Sequence, residues 1–153
     1  FYRDGRRVSN GVVYNNDSKV ITVRDEEEAY EKVSEELGVK TLKLGYMPEE
    51  MYFEDVMLEK GYGKIQYQYK NERVFFIQAK SDSRTSMVHS SDAKEKYEIW
   101  NSGLHIKIDV CNESIGENRH GYMAQFVYNG VYYCLSGVIE QHEFDEMLKK
   151  IHL

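Results

Sequence analysis

From residue 41 to residue 137 apolar side chains recur largely with period two, and that whole length holds a single proline, Pro48. Alternation of this kind marks strands half-buried against a core, and a proline inside a ladder would remove a backbone donor, so the pattern restricts the chain to a fold dominated by a sheet. Candidate strands fall near residues 41–44, 51–58, 64–70, 73–80, 96–100, 104–111, 122–128 and 131–137. Thirteen tyrosines agree with this reading, because a phenol ring suits a pleated surface that is apolar along its body and polar at its tip.

The register is best defined at Tyr128-Asn129-Gly130-Val131, where Asn-Gly supplies the positive φ angles of a two-residue type I′ turn. Pairing outward sets Phe126 opposite Tyr133 and Ala124 opposite Leu135 on the expected core face, with Gln125 opposite Cys134 and Val127 opposite Tyr132 on the other. A second hairpin is expected to turn at Asn71 and Glu72. It joins Ile65, Tyr67 and Tyr69 to Val74, Phe76 and Gln78, or to their one-residue-shifted alternatives.

Two segments read as helices. Residues 25–37 open on Asp25 with Glu28 at capping-box spacing, place Ala29, Tyr30, Val33 and Leu37 on one face, and end before Gly38. Residues 140–152 carry Phe144, Met147, Leu148 and Ile151 at helical spacing. No strand–helix–strand alternation is present. The expected class is therefore α+β: a largely antiparallel, meandering β-sheet with an N-terminal and a C-terminal helix packed on one face. Residues 1–20 read as an extension or linker with a short strand near Val12–Tyr14, and residues 21–153 as a single domain. The polar stretch Ser81–Lys96 reads as a mobile loop.

No apolar run approaches the roughly 18–20 residues needed to cross a bilayer as a helix. A net charge of −6 opposes attraction to nucleic-acid phosphates, so nucleic acid is not an expected partner. The sequence opens on Phe1 and not on Met, which leads us to expect a piece of a longer chain, with any membrane attachment made through a segment before Phe1.

No catalytic set converges. His142-Glu143-Phe144-Asp145-Glu146 approximates a helical zinc motif, but glutamate replaces its second histidine, and the 3.6-residue period turns His142 and Glu146 away from the apolar stripe toward solvent. Gly61-Tyr62-Gly63-Lys64 precedes a strand and lacks the rest of a phosphate loop. His89, Ser90 and Asp92 fall together in the loop without an orienting element. His105, Asp109 and Cys111 share one face of a strand, where only adjacent pairs could act on one another, and a passive thiol is the better reading of Cys111. A Cys111–Cys134 bridge needs Cα atoms within about 7 Å, and a simple meander interposes strand 122–128. The acidic face of Glu27, Glu28, Glu31, Glu35 and Glu36 could meet a basic partner but reads first as a solvated surface. Tyr62, Tyr67, Tyr69, Tyr122, Tyr128, Tyr132 and Tyr133 could line a groove for an apolar, peptide or glycan ligand; Tyr67, Tyr69 and Tyr132 are the candidate ligand-binding residues. No catalytic residue, metal ligand or cofactor is assigned.

Gly45-Tyr46-Met47-Pro48-Glu49-Glu50-Met51 resembles the opening segment of the domain of unknown function numbered 4367. Asn129 to Val138, with the helix bearing Glu143, Phe144 and Leu148, resembles its closing strand, turn and helix. The resemblance spans about residues 40–152. It departs at Glu140, where Ser or Asp is usual, and at Glu49-Glu50, where a glycine often follows the proline. It implies a domain outside the cytoplasmic membrane of Gram-positive bacteria, at the carboxyl end of membrane-anchored proteins, and supplies no catalytic residues. The resulting expectation is a non-enzymatic extracytoplasmic sensor or interaction domain. The alternative is a carrier holding its ligand on the tyrosine-rich sheet.

Overall fold

The computed structural model of the chain describes residues 19–21, 23–80, 95–116 and 119–153. The expected strand near 12–14, nearly all of the expected extension, and residues 81–94 of the expected loop, with His89, Ser90 and Asp92, lie outside the described residues.

In order the elements are β1 (Lys19–Ile21), α1 (Glu26–Leu37), β2 (Met51–Glu59), β3 (Tyr62–Tyr69), β4 (Glu72–Lys80), β5 (Glu95–Asn101), β6 (Ile106–Gly116), β7 (Arg119–Tyr128), β8 (Val131–Val138) and α2 (Gln141–Lys149). The strands form one antiparallel sheet in the order β1-β2-β3-β4-β8-β7-β6-β5. Each half is a meander, and the halves meet where central β4 pairs with β8 from Val74↔Gly137 to Lys80↔Val131. The class is α+β, with α1 over β2, β3 and β4 and α2 over β5 and β7, both on the same face.

Local chemistry explains the elements. Asp25 caps α1, its Oδ1 accepting from the Glu28 amide at 3.0 Å. Glu28 does not complete a capping box; its carboxylate takes the Arg24 amide at 2.7 Å and Nε at 3.1 Å. Gly38 ends the helix in the left-handed region at φ 76°. The turn at Asn129 and Gly130 has φ 51° and 79°, and the pairs Phe126↔Tyr133 and Ala124↔Leu135 form as the sequence predicts. The other hairpin turns one residue earlier than expected, at Lys70-Asn71, with Lys70 at φ 53° and Tyr69 opposite Glu72. That register keeps Ile65 opposite Phe76 and Tyr67 opposite Val74 on the core side.

Residues 41–44 do not form a ladder strand. Their alternation is correct for extended backbone, but other groups claim its hydrogen bonds. The buried Leu42 donates its amide to Tyr133 Oη at 3.2 Å and accepts from Gln78 Nε2 at 3.1 Å, and Lys43 exchanges both backbone bonds with His152. The connector thus runs under the helical layer, clamped to the sheet and to the last residues of the chain. Helix α2 stops at Lys149, short of the expected residue 152, because the buried Asn101 amide takes the carbonyls of Leu148 and Ile151 at 2.9 and 3.0 Å.

The core lies between helices and sheet. Ile65, Val74, Phe76, Leu135, Ala124 and Ile108 from the sheet meet Ala29, Val33, Leu37, Phe144, Met147 and Leu148 from the helices, all fully buried or nearly so. Helix α1 sits close over Gly63, where a Cβ would come within 2.8 Å of Val33 Cγ2.

Candidate functional site

Successive strand residues face opposite sides of a sheet, so the pairing divides the strand tyrosines between two surfaces. Tyr67 and Tyr69 face the helices and are 0% and 5% exposed, whereas Tyr132 lies with Ala79 and Val127 on the opposite, outer face. The three residues expected to share a ligand groove are therefore separated by the sheet itself. Side chains of Tyr62 and Tyr132 turn outward, and those of Tyr67, Tyr69, Tyr122 and Tyr133 inward.

Of the inward tyrosines, Tyr67 and Tyr133 take part in hydrogen bonds that join the sheet to the layer over it. Glu26 and Tyr30, four residues apart on α1, lie over β3. Tyr67 Oη donates to Glu26 Oε2 at 2.6 Å, and Tyr30 Oη lies 2.9 Å from Tyr67 Oη. Because the one proton of Tyr67 goes to Glu26, Tyr30 must donate to Tyr67, and Tyr30 Oη in turn accepts the Leu44 amide at 3.0 Å. Burial raises the Glu26 carboxyl, opposed by the bond from Tyr67 and reinforced by Glu27 and Asp25. Burial also drives the Tyr30 and Tyr67 phenols well above their ordinary value, so both stay protonated and act as donors, not nucleophiles.

The pattern recurs over α2. Tyr97 Oη donates to Asp145 Oδ1 at 2.7 Å, its phenol raised first by burial and then by that carboxylate. From the connector, Tyr46 Oη donates to Glu143 Oε1 at 2.6 Å, a bond that raises the phenol. Tyr133, pushed up to about 12 by burial, accepts the Leu42 amide. Tyr122 stacks on Phe144 at 5.3 Å and Tyr133 on Phe126 at 5.1 Å. Sequence reasoning counted the tyrosines and missed the carboxylates. The available signal was the placement of Glu26 beside Tyr30 on the apolar face of α1.

The other singled-out residues do not converge. His142 is exposed, Glu143 accepts from Tyr46, and Glu146 pairs with Lys149 and Lys150 at 3.7 and 3.5 Å. His105 lies not on β6 but in the preceding turn at φ 58°, with its ring 6.2 Å from that of Trp100. Gly61 donates its amide to Glu36 Oε2 at 3.1 Å, within the turn before β3. Cys111 and Cys134 are unbridged, and β7 lies between their strands. Burial pushes the Cys134 thiol up to about 11. Among the described residues no three His, Cys, Asp or Glu side chains are grouped to hold a metal ion.

The outer face carries no helix among the described residues. Tyr62, Ala79, Tyr132 and Val127 follow one another across four strands, and Trp100 projects from β5. Val127 is 57% exposed and Trp100 52%. Beside them is a shallow depression formed by Lys96, Glu98, Asp109, Cys111, Met123 and Gln125.

These features define a two-layer α+β domain in which phenol–carboxylate bonds fasten helices to an antiparallel sheet. The chain belongs to the family described as Domain of unknown function (DUF4367), whose profile matches residues 41–151, so Tyr67 lies inside the matched region and Glu26 and Tyr30 before it. No curated protein and no solved structure matches the chain.

Proposed function

We propose that this chain is a non-enzymatic, extracytoplasmic sensor or interaction domain of a membrane-anchored bacterial protein. The observation that carries the reading is the use of the polar groups on the helix-bearing face. Tyr67, Tyr97 and Tyr46 bond to carboxylates and Tyr133 to a backbone amide, so these phenols hold the architecture together. The outer face, with the exposed side chains of Trp100, Val127 and Tyr52, is then the surface on which partners are met. The extracytoplasmic and tethered setting is what the family resemblance implies. No helix among the described residues is long and apolar enough to cross a membrane, so the tether in this reading comes from another part of the protein.

The test is location in the source cells. Fractionation followed by protease treatment of intact cells, with this domain traced by antibody, is expected to give membrane association and external cleavage. A protease-protected domain in the soluble fraction would overturn the setting. Turnover of any substrate in a broad hydrolase panel, abolished by one polar substitution, would overturn the non-enzymatic reading.

A further inference from the structure

The two edges of the sheet differ. At one edge, among the described residues, β1 pairs with β2 from Val56 to Leu58, and β2 is irregular between Phe53 and Asp55. Short strands and bulges of this kind resist pairing with another chain. At the other edge β5 runs for seven residues in unbroken register with β6, from Glu95↔Asn112 to Asn101↔Ile106, without proline or bulge. Among the described residues no strand pairs with its outer side.

A second irregularity lies on the same strand. Glu98 stands directly opposite Asp109, both exposed on the outer face. Like charges placed opposite each other across a ladder repel. Among the described residues Glu98 has one ion-pair partner, Lys107 Nζ, at 4.0 Å, the limit of an ion pair.

We propose that β5 is an interface between two copies of this chain, paired antiparallel about a two-fold axis at Tyr97 and continuing the sheet from one copy into the other. Charge selects the register. An axis at Glu98 would set two glutamates face to face beside two aspartates, and one at Ile99 would set each Glu98 against Trp100 of the other copy. An axis at Tyr97 sets Lys96 of each copy opposite Glu98 of the other. This adds to the Glu98–Asp109 pair a cation closer than Lys107, twice by symmetry. Backbone bonds supply the attraction and the Lys96–Glu98 pairs fix the alignment. The contact is isologous and uses one edge of each copy, so assembly closes at the dimer. The inference stands apart from the proposed cellular role.

Lys96 and Glu98 are exposed, so their reversal leaves the core intact. Sedimentation across a concentration series is expected to give a species of twice the 18.0 kDa chain mass for the unaltered protein. Lys96→Glu alone and Glu98→Lys alone are each expected to shift to the monomer, with unchanged far-ultraviolet circular dichroism. Mixing the two variants is expected to restore the dimer, because each then offers the charge the other needs. The unaltered chain remaining monomeric at every concentration, or a dimer indifferent to both reversals, would overturn the proposal.

Discussion

A phenol whose single proton is committed to a carboxylate, as that of Tyr67 is to Glu26, cannot be removed without leaving two groups short of a partner. Tyr67→Phe is expected to lower unfolding free energy by about 1–3 kcal/mol, read from urea denaturation. Glu26 adds a pH dependence. Its carboxyl is raised in the folded chain above the roughly 4.3 of an unfolded glutamate, so its stabilising contribution is complete below that value and declines as pH rises through the folded pKa. Urea midpoints from about pH 4 to pH 7 should fall more for the native sequence than for Glu26→Gln; parallel curves would rule out the shift. The two thiols should also separate. Cys134 is 2% exposed and pushed up to about 11, whereas Cys111 is only half-buried. A thiol reagent should therefore titrate one group in the native chain and both in denaturant.

Elements dock here by close approach. Gly63→Ala sets a methyl group 2.8 Å from Val33 Cγ2, and α1 must lift or Val33 must turn. A loss of about 1–3 kcal/mol is expected, recovered in part when Val33→Ala is added, a coupling that a double-mutant cycle measures. At this scale much was legible in the sequence. The Asp25 cap, the Gly38 stop, the Asn129-Gly130 turn and the stripe from Phe144 to Leu148 are local signals, and the structure carries each. Residues 41–44 were misread as a strand because alternation reports an extended backbone but not which groups take its hydrogen bonds. The end of α2 was misplaced because Asn101, distant in sequence, intercepts its carbonyls. The candidate ligand tyrosines were misgrouped for a related reason. Hairpin registers place Tyr67 and Tyr132 on opposite faces only once β4 is known to pair with β8, a contact between halves that no local pattern encodes.

At the scale of the whole molecule, two meanders are joined by one central ladder, β4 to β8, and by the connector under the helices. Leu135 and Phe76 meet in that ladder, both fully buried, so neither half retains its core without the other. Unfolding should be a single transition. The one tryptophan, Trp100, reports from the β5–β8 half, and far-ultraviolet circular dichroism reports from both. Their urea curves should coincide, and an earlier fluorescence transition would show that the halves come apart separately.

The central ladder also fixes an order of events during synthesis. Strands β1 to β4 emerge from the ribosome first, yet the strand that completes their open side, β8, is nearly the last element made. Until residues 131–138 appear, the nascent β4 presents Phe76 and Ile77 beside an unpaired backbone, a template for association with other chains. Slow translation through the second half would prolong that exposure, making the yield of folded protein depend on elongation rate as well as final stability.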